Sequence, residues 1–171
     1  MNVFKSVFLP IIGVCLFIVV VGLASQGKLG FLLPNKTPIP NPNSEIAPET
    51  LKINDVSINI EVAKTNEERA KGLSNREKLD ENSGMIFILD QNSFAKFWMK
   101  DTKIPLDMIW INDNKIIGIT KDIQPELGRE NSQLTVYPSP SAVDFVLEVN
   151  AGFSDKNGFK VGQTIYGLEQ L

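Results

Sequence analysis

Histidine is absent from the 171 residues, and cysteine occurs once, as Cys15. Without histidine the chain lacks the commonest general base, the Ser–His and Cys–His nucleophile systems, and the imidazole that most zinc sites use. Cys15 lies in the middle of an apolar run, poorly placed for lipidation, and the rest of the chain has neither a disulfide nor a thiol nucleophile. Cysteine usage therefore identifies no redox compartment. Glycine-rich phosphate loops, the nucleophile elbow and cysteine-pair metal motifs are also missing. So is a basic stripe: from Leu51 onward, 14 Lys plus Arg stand against 18 Asp plus Glu, a net of −4. An acidic domain is poorly matched to a phosphate backbone, which argues against nucleic acid as a partner. No metal and no organic cofactor are expected.

What is present begins with 18 uncharged residues, Val7 to Ala24, including the run Leu16 to Val21. A hydrocarbon core about 30 Å thick needs about 20 helical residues, so the segment just spans it. Gly22-Leu23-Ala24 followed by Ser25 offers a small-residue cleavage site, and a cleaved signal peptide is the alternative. The run is long for such a peptide, and an uncleaved membrane anchor over residues 1–26 is the expectation. Pro34, Pro38, Pro40, Pro42 and Pro48 then make residues 27–50 an extended, semi-rigid linker. Lys5 on one side and Lys28 and Lys36 on the other leave the orientation count undecided. The linker's spacer character places the domain outside the membrane, with a secreted form as the alternative.

Residues 51–171 are long enough for one domain with its own core. Leu51 and Ile53 lead into Asn54-Asp55, after which Val56, Ile58, Ile60 and Val62 alternate with polar residues, predicting a hairpin whose second strand is half buried. Thr65 and Glu68 form a capping box, and Gly72 closes the same short helix. Further strands are predicted at Met85–Leu89, Phe94–Met99, Leu106–Ile111, Ile116–Ile119, Thr135–Tyr137, Phe145–Val149 and Thr164–Leu168, with a tight turn at Asn112-Asp113-Asn114. Many short strands with one or two short helices indicate a mainly β domain, all-β or β-dominated α+β, shaped as a small barrel or sandwich.

The most unusual stretch is Phe97-Trp98-Met99-Lys100-Asp101-Thr102-Lys103-Ile104-Pro105-Leu106-Asp107. Around it stand Glu68-Arg69-Ala70-Lys71-Gly72-Leu73, Gly84-Met85-Ile86-Phe87 and Leu147-Glu148-Val149-Asn150-Ala151-Gly152. Together, over roughly Ile53 to Ile165, these runs resemble the domain of unknown function 192 family. Ser74 stands where that family usually has Met, and Asp101 where it usually has Asn. The resemblance implies a compact, mainly β fold, often exported behind a signal or anchor, and it brings no established activity.

Alternation along Phe94–Lys100 puts Lys96, Trp98 and Lys100 on one face. Trp98 is then either a platform for an anionic or flat ligand, or a ring covered by a loop with the lysine stems over it. Asp107 lies in a run apolar on both faces, so its charge requires a cationic or multi-donor partner; Lys100, Lys103, Arg76 and the Thr102 hydroxyl are the nearest candidates. Glu148, between Leu147 and Val149, is placed on the same wall as Asp107. Arg69 and Arg76 either clamp an anion or tie a helix to a sheet. Trp98, Lys100, Asp107, Arg69, Arg76 and Glu148 thus make up the candidate site. The expected function is a membrane-tethered, extracytoplasmic binding or envelope-associated module for a small molecule or envelope component. The alternative is a hydrolase acting on envelope saccharides through Asp107 and Glu148.

Overall fold

A computed structural model describes residues 49–171. The segment expected to cross a membrane and most of the linker lie outside them. Among the described residues no helix is long and apolar enough to cross a membrane.

The alternating run folds as expected: β1 (Glu49–Ile53) and β2 (Val56–Ala63) pair antiparallel, with Asn54 at φ 53° in the turn. Thr65 caps α1 (Asn66–Lys71) through the reciprocal box with Glu68, and Gly72 ends it. That helix carries the chain across to β3 (Ser83–Ser93), which lies parallel to β2. The next segment joins a ladder only at β4 (Lys96–Phe97), so the strand expected over Phe94–Met99 shrinks to two residues. β5 (Leu106–Asn112) and β6 (Lys115–Ile123) form a hairpin across Asp113 and Asn114, both in the left-handed region. β7 (Tyr137–Pro138) pairs with β4, β8 (Val143–Asn150) fits between β5 and β3, α2 (Phe153–Lys156) follows, and β9 (Ile165–Tyr166) pairs with β1.

The main sheet runs β6-β5-β8-β3-β2-β1-β9 and curls into a half-barrel. Its two edges approach where the Ile116 N–H donates to Gln163 O (3.0 Å), and the N–H groups of Gly162 and Ile165 donate to Ile116 O and Asn114 O (2.8 Å each). One apolar cluster, from Leu51, Ile58, Ile86, Ile109, Ile111, Leu147 and Val149, joins residues of one face of the sheet. A second, from Phe87, Met99, Met108, Trp110 and Val146, covers the other face. β5 is buried along almost its whole length because it serves both clusters, which is why its sequence shows no alternation.

Register decides which face each acidic residue takes. Asp107 pairs with Val149, and Met108 with Glu148. Successive side chains point to opposite faces, so Asp107 shares its face with Val149, and Glu148 lies on the other with Met85 and Met108. The two carboxylates expected on one wall are on opposite faces.

Candidate functional site

The Ser93–Ile104 segment is pinned to the sheet by apolar plugs. Ala95, Met99 and Ile104 are buried in the second cluster. Phe97 stands edge-on to Phe87 (centroids 5.0 Å apart, 89°) and to Trp110 (5.7 Å, 85°). Burying every second side chain turns Phe94, Lys96 and Trp98 outward. Trp98 is 49% exposed, so no loop covers the ring.

The end of the segment is fastened to the loop after α1. The Ser74 hydroxyl donates to Lys100 O (2.9 Å), the Asn75 N–H donates to Asp101 O (2.7 Å), and the Thr102 hydroxyl also donates to Lys100 O (3.3 Å). Asp101 holds φ 54°, a conformation that Asn and Asp both tolerate.

These ties enclose a cleft of about 330 Å³. α1 and its C-terminal turn contribute Arg69, Lys71, Gly72 and Leu73; β3 contributes Phe87, Leu89 and Asp90; the segment contributes Ala95, Lys96, Phe97, Trp98, Lys100 and Thr102. From the sheet, Glu148 lines the cleft and is 5% exposed. It has no hydrogen bond or ion pair to any described residue. Burial alone pushes its carboxyl up to about 8, so at neutral pH it carries a proton and is a hydrogen-bond donor.

The other candidates divide. Trp98 and Lys100 line the cleft, and Lys100 lies 3.7 Å from Asp101 in an exposed pair. Arg69 also lines it, but its guanidinium donates to Lys64 O (2.6 Å), Ile88 O (2.8 Å) and Asn66 Oδ1 (2.5 Å), so it ties α1 to β3. Arg76 is outside the cleft, forked onto Glu61 of β2, and holds that carboxyl below its ordinary value.

Asp107 is fully buried, and the cationic partners expected for it do not bond it. Its Oδ1 accepts from the N–H groups of Asp122 (2.9 Å) and Gly152 (3.2 Å), and its Oδ2 from Ser154 N–H (3.0 Å). Lys103 pairs with Glu77 instead. The amides at the start of a helix lack intrahelical partners, and the Asp107 carboxylate supplies one for the Gly152–Ser154 turn that begins α2. Asp107 is therefore a structural clasp joining β5, the end of β6 and α2. Lys96 belongs to the cleft instead, and the alternation that exposed Trp98 was the signal for it. Lys71 was not legible, since its position depends on how α1 crosses the sheet.

The paired carboxylates that a glycoside hydrolase needs are not brought together by Asp107 and Glu148. Among the described residues no group of three or more Asp, Glu, His or Cys could hold a metal ion.

The family model described as "Uncharacterized ACR", the domain of unknown function 192, matches residues 49–167. The chain belongs to this family. Its fold recurs in solved structures. One, from Novosphingobium aromaticivorans DSM 12444, is described as a protein of unknown function; it is 29% identical, with 77% of this chain and 93% of that one covered, at a TM-score of 0.62. Another, from Sinorhizobium meliloti 1021, is provisionally described as a transcription regulator; it is 28% identical, with 69% of this chain and 90% of that one covered, also at 0.62. A comparison with curated proteins found no match. In this domain of unknown function 192 chain, the motif runs divide their labour: the Arg69–Leu73 and Phe97–Lys100 stretches line the cleft, Glu148 lies beneath it, and Asp107 with Gly152 locks the sheet.

Proposed function

We propose that the domain is a binding module that takes a small anionic or flat ligand in the cleft beneath Trp98, and that the apolar segment 1–26 holds it outside a membrane. The observation that carries this reading is a half-exposed tryptophan and an unpartnered carboxyl facing the same small cleft. An indole ring left open to water beside Lys96 and Lys100 suits a molecule with a π face and a negative charge. The uncharged run Val7–Ala24 and the prolines behind it support the tether. The net charge of −4 from Leu51 onward runs against the nucleic-acid role that a transcription regulator would have.

The test is a thermal-shift screen of the full chain against aromatic acids and sugar acids, with Trp98→Ala in parallel. A ligand at 100 times its Kd adds about 2.7 kcal/mol. The expected result is a shift in the wild type that Trp98→Ala loses while retaining the unliganded melting temperature. Shifts of equal size in both proteins would remove the cleft as the site.

A further inference from the structure

We propose that Glu148 is the hydrogen-bond donor that selects the ligand, so that the cleft takes a molecule with an uncharged carbonyl at its buried end and an anionic group at its outer end. This rests on the binding reading above and names the ligand class for the same site.

The geometry begins in the sheet. Glu148 sits between Met85 of β3 and Met108 of β5 on one face, so its lateral neighbours offer it no hydrogen bond from a charged or amide side chain. Its carboxyl is buried, lines the cleft and has no partner among the described residues. A poorly hydrated carboxyl with no protein partner gains a hydrogen bond from an occupant with a carbonyl oxygen. A protonated acid is a good donor to a neutral carbonyl, and a carboxylate placed that deep would itself lose its water.

Charge fixes the other end. Facing the cleft are Arg69 and Lys71 from α1, Asp90 from β3, Lys96 from β4 and Lys100 from the following turn. Met108 of β5 is the strand neighbour of Glu148, Asp107 lies on the opposite face, and none of these charged groups bonds Glu148. Four basic residues line the cleft against two acids, Asp90 and the protonated Glu148, so the outer end of the ligand is an anion. About 330 Å³ is at the lower end for small-molecule sites, room for one ring with two substituents.

The experiment uses two probes of like shape, 4-acetamidobenzoate and 4-isopropylbenzoate, titrated into the full chain and followed by tryptophan fluorescence from about pH 6 to about pH 10. The wild type is expected to prefer the acetamido acid at least about tenfold at low pH, the worth of one hydrogen bond. Above about pH 8 that preference should shrink by about tenfold per unit as Glu148 ionises. Glu148→Gln should keep the preference at every pH, since an amide donates without titrating. Equal affinity for the two acids, a wild-type preference that ignores pH, or a pH-dependent preference that persists in Glu148→Gln would each overturn the role of Glu148 and leave the cleft reading standing. Failure of both acids to bind the wild type would overturn both readings. The wild-type titrations decide the matter alone if the variant does not fold.

Discussion

Three backbone amides converge on the Asp107 carboxylate, and removing it would leave all three without that acceptor, the Ser154 amide in the interior. Asp107→Ala is expected to destabilise the fold by about 3–5 kcal/mol in denaturant unfolding, in the range found when a buried charge and its partners are separated. The cleft of the protein that remains folded should bind as before; loss of binding at unchanged stability would contradict the structural role. The need for a partner was legible in the apolar surroundings of Asp107. The kind of partner was not, because only the folded chain shows which backbone N–H groups are left over at α2 and at Asp122. Asp101 is held by its backbone. Its side chain is exposed, its φ is 54°, and its carbonyl takes the Asn75 amide. What the position requires is a left-handed backbone, which Asp meets as well as the Asn common in the family.

At the scale of elements, the approach of β3 to β8 depends on a missing side chain. A Cβ on Gly84 would lie 2.7 Å from Glu148 O and 3.1 Å from side-chain atoms of Leu147 and Val149. Gly84→Ala is expected to cost about 1–3 kcal/mol in unfolding experiments through the strand shift it forces, and a neutral effect would show that the contact relaxes freely. The hairpin at Asn54-Asp55, the Thr65–Glu68 capping box, the turn at Asp113-Asn114 and the central strands were all legible, since each depends on residues near in sequence. The strand expected over Phe94–Met99 is a ladder of two residues. The alternation is real, but it arises from a segment laid over the second cluster with only Lys96 and Phe97 in a ladder. Period two reports burial of every second side chain, whether or not a neighbouring strand is present.

Across the whole molecule, the site is made by register. Pairing Met108 with Glu148 puts one acid under the cleft, and pairing Asp107 with Val149 puts the other beneath the opposite cluster. A slip of β5 by one residue would bring Asp107 onto the face of Glu148, and no local sequence signal fixes that register. Thus Trp98 and Lys100, neighbours in sequence, line one cleft, while the relation of Asp107 to Glu148 depends on strand pairing that the sequence does not show. The ligand class of the cleft turns on Glu148 being buried, unpartnered and protonated at neutral pH. Its carboxyl moves from an ordinary 4.5 to about 8 on folding. Between those values the folded chain holds a proton that the unfolded chain has released, so the stability from this group is complete below 4.5 and declines as pH rises to about 8. The slope is at most about 1.4 kcal/mol per pH unit, and Glu148→Gln lacks it. Shifts at other carboxyls, such as Glu61, are common to both proteins and cancel in the difference. The decisive measurement is therefore the difference in unfolding free energy between the full wild-type chain and Glu148→Gln, followed from about pH 5 to about pH 9. The wild type is expected to lose ground steadily until about pH 8 and then hold level. A difference that stays constant across that range would show Glu148 already ionised and would contradict that expectation.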